Sequence, residues 1–151
     1  MRIVGYSAVY NEEIYDLFYK TVHSVCSPFY TEEELDAWAP READAAAWCE
    51  ALLHTYTVLA LSEDDAILGF GNFDMEKSCL DRLYVASSFQ GKGVGSAILS
   101  SLEQKASGDI YVYSSDAALS FFISHGYSFV RDNYAVRNGL KIHNSLLMKS
   151  F

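Results

Sequence analysis

Two hydrophobic periods divide the chain. Near the N-terminus, residues 2 to 9 read as a strand, after which apolar positions take helical spacing. Asn11 can cap a helix in which Ile14, Leu17, Phe18 and Val22 share one face, and the helix has to stop before Pro28. Thr31 and Glu34 have capping-box spacing, so a short helix bearing Leu35 and Trp38 is expected to end before Pro40. A further helix is expected over about 41 to 54.

From residue 55 the period shortens. "TYTVLAL" and "AILGFGNF" flank the polar turn Ser62 to Asp65 as a β-hairpin, and "CLDRLYV" follows as a third strand of a meander. A helix is expected from Gly93 to about Ser107, with Val94, Ala97, Ile98, Leu102 and Ala106 in one apolar stripe. "DIYVYS" is the next strand, "AALSFFISH" a helix ended by Gly126, and "YSFVRDNYAV" another strand. Asn138-Gly139 suits a type I′ turn into the last strand, "LKIHNSLLM". The expectation is an α+β fold with one mixed, mostly antiparallel sheet.

Composition narrows the class. At 151 residues and 50% hydrophobic content the chain has the size of one domain, and it contains no repeat or linker. It has no apolar run near the ~18 residues of a membrane span, and its N-terminus turns acidic too early for a signal peptide. A soluble, unprocessed protein is expected. Cys26, Cys49 and Cys79 have neither disulfide nor zinc-site spacing, which points to a reducing cytoplasm and no metal. A net charge of -9 argues against a nucleic-acid or anionic-membrane partner. An anionic ligand would therefore have to be held locally, by backbone amides.

Gly91, Gly93 and Gly95 supply such a place, between an apolar strand and an apolar helix. No glycine here is followed by Lys-Ser or Lys-Thr at P-loop spacing, and G-x-G-x-x-G fails at Ser96 and at Ile98. What remains is Gln90-Gly91-Lys92-Gly93-Val94-Gly95, the pattern Q-x-x-G-x-G opening a helix directly after a strand. Glycines let the backbone approach a pyrophosphate, the free amides of the first helical turn point at it, and Lys92 adds a point charge.

"LYVASSFQGKGVGSAIL" resembles the acyl-CoA motif of the GNAT superfamily of N-acyltransferases, and the order of elements is similar across the whole chain. The resemblance implies a seven-stranded sheet with a splayed central strand pair and flanking helices. Backbone groups of Leu83, Tyr84 and Val85 would pair with the pantetheine arm, Gln90 to Ser96 would cradle the pyrophosphate, and Phe121 and Phe122 would lie along the thioester end. "VHSVCSPFYTEEELDAWAP", "FFISHGY" and "VRNGLKIHNSLLMK" further resemble the YafP-like branch of bacterial GNAT proteins. The implied co-substrate is acetyl-CoA and the implied reaction is direct acetyl transfer to an amine, most simply that of a small molecule, without metal. A non-catalytic acyl-CoA-binding module is the alternative, and a homodimer through a sheet edge is compatible with either.

Such a transfer needs a free amine, a donor to the acyl oxygen and protonation of the departing thiolate. Amides around Leu83 to Val85 would serve the oxygen. The tyrosine that many family members use for the thiolate falls at Phe122, which leaves His125, Tyr113 and Tyr127 as replacement candidates. Asp81 is the candidate base, on the strand face of Leu83 and Val85, with ion pairing to Arg82 as the competing role. His23, Tyr30 and Trp38 are candidate acceptor contacts, although a core role suits Trp38 better and a structural role suits His23 better. Cys79 has no neighbouring histidine in sequence and reads as a buried residue.

Overall fold

A computed structural model describes residues 1–151. Strand β1 (Arg2–Gly5) precedes a 3-10 turn at Ala8–Tyr10 capped by the Ser7 hydroxyl, so the first strand is shorter than its apolar pattern suggests. Helices α1 (Asn11–Val25) and α2 (Glu32–Trp38) follow, the latter opened by the Thr31/Glu34 capping box. In place of the single helix expected over about 41 to 54 there are two short ones, α3 (Ala45–Trp48) and α4 (Glu50–Leu53). The Asp44 side chain accepts from the Ala47 amide and so starts α3 late, and Cys49 breaks the run.

The rest of the chain alternates strands with two further helices. Strands β2 (Tyr56–Leu61), β3 (Ile67–Asp74) and β4 (Cys79–Val85) form the meander. Then come α5 (Val94–Glu103), β5 (Ile110–Ser115), α6 (Leu119–Ser124), β6 (Ser128–Arg137) and β7 (Leu140–Lys149). The seven-stranded sheet has the order β1-β2-β3-β4-β5-β7-β6, and only the β4/β5 pair is parallel.

Each face of the sheet carries its own core. One core joins Ile14, Phe18 and Val22 of α1 to Leu52, Leu59 and Phe70, and the other joins Ile98 and Leu102 of α5 to Phe73, Leu80 and Leu147. The α5 helix sits close because Gly69 and Gly71 lack side chains. A Cβ at Gly71 would stand 3.0 Å from both Ile98 and Leu102.

Strand β4 is irregular in two ways. Asn72 pairs with Arg82 and Phe73 with Leu80, so Asp81 is the extra residue of a β-bulge. Pairing with β5 covers only Cys79↔Tyr111 and Leu80↔Val112, after which the two strands part.

Candidate functional site

The gap between β4 and β5 opens onto two cavities. The first, of about 350 Å³, is lined by β4 from Cys79 to Tyr84, by Tyr30 and Trp38 from the α1–α2 side, and by residues of β5, β6 and β7. The second, of about 330 Å³, runs from Thr21 and Cys26 past Leu83 and Val85 to the glycine loop and Phe121. They meet at Leu83, Tyr84, Ser115, Ala118 and Phe122, which line both.

Backbone groups alternate edges along a strand. The Ala86 N–H donates to Leu68 on β3, and Tyr84 pairs with Phe70, so the groups of Leu83 and Val85 turn to the β5 side, where no strand pairs with them. Of the three backbone positions expected to be open, Tyr84 is engaged with β3 and contributes its side chain instead. The Val85 carbonyl accepts from the Gln90 amide at 2.7 Å and from Thr21 Oγ1 at 3.3 Å. That leaves the Leu83 N–H and C=O and the Val85 N–H facing the gap.

At the mouth of the second cavity, Gly91 and Gly93 adopt φ of +71° and +84°, and a Cβ at either would meet nothing within 4 Å. Glycine is required there by conformation and not by crowding. The N–H groups of Val94, Gly95 and Ser96 lie in the first turn of α5 and have no helical carbonyl to bond. Val94 is 4% exposed, its side chain packed in the α5 core, and Gly95 and Ser96 line the cavity. Lys92 Nζ stands 5.3 Å from the Phe89 ring centroid, outside the cavity wall. This strand end, glycine turn and open helix start form an anion cradle of backbone donors beside a slot edged by unpaired strand amides.

In the first cavity, the bulge turns Asp81 to the face of Asn72 and Arg82. This corrects the expected alignment with Leu83 and Val85, whose side chains pack in the α5 core. Asn72 Nδ2 donates to Asp81 Oδ2 at 3.0 Å and Arg82 Nε stands 3.8 Å from it, while the carboxylate stays 46% exposed. Arg82 is fixed from behind, donating to the Trp48 carbonyl and stacking 3.8 Å from the Trp48 ring centroid. Asp81 is thus both ion-paired and open to the cavity.

The remaining candidates separate clearly. Tyr30 and Trp38 line the first cavity, their rings 5.5 Å apart, and Tyr113 lines it from β5. His23 lies outside both cavities and ties α1 to the end of α2 by donating to the Ala39 carbonyl. His125 stands behind Phe121, with Nδ1 donating to the Phe121 carbonyl and Nε2 accepting from Ser96 Oγ at 2.8 Å. Tyr127 is 2% exposed and its hydroxyl donates to Glu103 at 2.7 Å. Burial and then Glu103 push its phenol well above the ordinary range. Neither His125 nor Tyr127 reaches the gap, so neither replaces the tyrosine lost at Phe122. Burial also raises the Cys79 thiol to about 11, which leaves it protonated and a poor nucleophile.

Sequence reasoning missed a polar cluster on the wall of the first cavity. His143 bonds Asp116 Oδ1 through Nδ1 at 2.6 Å and Asp132 Oδ1 through Nε2 at 2.8 Å. Carboxylates only accept, so the imidazole donates from both nitrogens as a cation. Its pKa is raised by the hydrogen bonds to Asp132 and Asp116. The Tyr30 hydroxyl closes the cluster, donating to the His143 carbonyl and accepting from the Asp116 N–H, and burial pushes the phenol up to about 12. No motif marks His143, because its partners lie 11 and 27 residues away. Asn72 was legible as a lone amide in the apolar run "GFGNF", where a buried polar group demands partners.

The charged His143 contributes stability where it is protonated in both states, below its ordinary range, and loses it as pH rises through the raised folded value. Thermal melts should accordingly show His143→Gln destabilised by about 1 kcal/mol or less at pH 6, a deficit that fades toward pH 9.

The chain is similar to known proteins over nearly its whole length. The model of the acetyltransferase (GNAT) domain matches residues 26–146. A GCN5-related N-acetyltransferase (aminotransferase, class II) from Rhodopseudomonas palustris is 25% identical with a TM-score of 0.93, over 99% of this chain and 95% of that one. PaiA N-acetyltransferase from Thermoplasma acidophilum, solved with coenzyme A, is 15% identical with a TM-score of 0.75, over 99% and 98%. YncA from Salmonella typhimurium, solved with its cofactor acetyl-CoA, is 19% identical with a TM-score of 0.71, over 99% and 93%. None of the curated proteins matches the chain. Since the family match takes in the open strand, the glycine cradle and most of both cavities, the protein belongs to the GNAT acetyltransferase family.

Proposed function

We propose that the protein transfers an acetyl group from acetyl-CoA to the amine of a small molecule, both substrates being bound at once. The observation that carries this reading is the parting of β4 from β5 after Leu80, which leaves the Leu83 and Val85 amides unpaired beside the Gly91/Gly93 cradle. Residues from the cradle to Leu83 fit acetyl-CoA: backbone donors for the pyrophosphate, and strand edges for an extended amide-bearing arm. Bound there, acetyl-CoA supplies an acyl group activated as a thioester.

The chain's own residues do the rest. Asp81 takes the proton from the acceptor amine in the first cavity, directly or through water, and Asn72 and Arg82 hold its carboxylate in place. The Leu83 N–H, which no strand pairs, donates to the acyl oxygen as negative charge builds. Phe122 walls the junction of the two cavities, and Phe121 walls the second.

We assign the protein to the YafP-like branch on the same resemblance. Tyr30, Trp38, Ser115, Arg137 and Asn144, all at positions that match the branch, line the first cavity, which supports a branch-specific acceptor. Three unpaired cysteines support a reducing, cytoplasmic setting, and no helix is long and apolar enough to cross a membrane. Strand β6 is a sheet edge with Phe129, Val130, Tyr134 and Val136 exposed, which supports pairing with a second copy.

Calorimetric titration with acetyl-CoA, beside NAD, tests the cradle, and thiol release across a panel of amines tests the transfer. Binding of acetyl-CoA alone, with amine-stimulated CoA release, is the expected result. Binding without turnover on any amine would favour a non-catalytic acyl-CoA module, and absence of binding would overturn both readings.

A further inference from the structure

We propose that Tyr84, on β4, is the residue that protonates the departing CoA thiolate, supplying from the strand the phenol that α6 lacks at Phe122. The inference rests on the acetyl-transfer reading and adds a catalytic residue to it.

The location follows from the two cavities. A group that acts on the sulfur has to reach the junction where the acyl donor's slot meets the acceptor's chamber. Five residues line both cavities: Leu83, Tyr84, Ser115, Ala118 and Phe122. Leu83, Ala118 and Phe122 have no side-chain proton donor. The Ser115 hydroxyl accepts from the Ala118 N–H at 3.2 Å and keeps its own proton, but an aliphatic hydroxyl is a far weaker acid than a phenol. Tyr84 is left.

Its surroundings suit the task. The ring is held edge-on to Phe18, with centroids 5.0 Å apart, and tilted against Phe70 at 5.7 Å, so its direction is fixed by packing. The Trp38 ring lies 6.5 Å away, centroid to centroid, and the phenol makes no hydrogen bond to a protein acceptor, so its hydrogen is free for a ligand. Burial raises the phenol above its ordinary range, so it stays protonated at neutral pH.

The step balances. The amine nitrogen bonds to the acyl carbon, the carbon–sulfur bond breaks, and its electron pair ends on sulfur. Tyr84 Oη–H gives its proton to that sulfur. The amine's proton goes to Asp81 and on to water, and the Tyr84 phenolate recovers a proton from water. An amide and a free thiol are the net products.

Tyr84→Phe removes one oxygen and keeps the ring. The expected result is a fall in kcat of about tenfold to a hundredfold with little change in the KM for acetyl-CoA. A second readout does not depend on turnover. The thiolate absorbance of CoA bound to the protein, followed against pH, should show the bound thiol titrating about one unit higher in Tyr84→Phe than in the native protein. If both proteins bind CoA, as calorimetry reports, and the thiol titrates identically, Tyr84 has only a packing role. If Ser115→Ala moves the bound thiol and Tyr84→Phe does not, Ser115 serves the sulfur and the proposal fails. If neither protein binds CoA at all, the acetyl-transfer reading itself falls, an outcome that calorimetry separates from the other two.

Discussion

Asp81→Asn is expected to lower kcat by about a hundredfold to a thousandfold while acetyl-CoA binds as before. The substitution preserves volume and removes the group that can accept a proton in the acceptor cavity. Asn72 Nδ2, which donates to Asp81 Oδ2, can still donate to the new amide oxygen, so the bulge should persist. Arg82 would lose its carboxylate, but it stays fixed by the Trp48 carbonyl and ring. A general loss of folding is therefore not expected, and melting temperature checks this. Steady-state kinetics with a good amine decides the matter: unchanged turnover would leave Asp81 with ion pairing alone.

The second large effect concerns the cradle. Gly93→Val should weaken acetyl-CoA binding at least about tenfold, because a left-handed backbone costs an ordinary L-residue roughly 1–2 kcal/mol and a β-branched one more. At Gly93, φ is +84° and nothing lies within 4 Å of an added Cβ, so the loss has to come through the backbone turning away from its ligand-binding conformation. Gly139 is a matched control. It has φ of +79°, equally open space and a place in the β6–β7 turn, away from both cavities. Gly139→Val should cost comparable stability and leave acetyl-CoA affinity untouched. Equal loss of affinity in both variants would mean that the effect is one of stability, not of the cradle.

Much of this architecture is legible in the sequence because local rules dominate it. Period, capping and turn chemistry place every strand and most helices, and Gly126 at φ +93° and Asn138-Gly139, both at positive φ, end their elements as their residue types require. The exceptions have local causes of another kind. A helical pattern over 41 to 54 cannot reveal that the Asp44 carboxylate caps inside it. Alternation along "CLDRLYV" puts Asp81 with Leu83, and a single inserted residue relative to β3 reverses that. For the candidate site, the left-handed turn at Gly91 and Gly93 was readable from glycine spacing, while side-chain placement was not. His125 is one helical turn from Phe121 in sequence yet is turned to Ser96, and His143 acquires its partners only when β6 and the β5–α6 link come together.

Because only two residue pairs join β4 to β5, the sheet consists of two laminae, β1 to β4 and β5 with β7 and β6, articulated at Cys79 and Tyr111. The α5 helix packs on β2, β3 and β4 and braces the first lamina, and α6 packs on β5 in the second. Side chains of α5 reach across the joint, Glu103 bonding Tyr127 and Lys149 and Ser96 bonding His125, and α2 touches β7 from the α1 side. The width of the slot is consequently held by side chains of α5 and α2 and not by strand pairing: loosening Glu103 or Ser96 would change it without breaking a strand. On the acetyl-transfer reading, the acyl group that the slot admits depends on those ties as well as on the side chains that wall it.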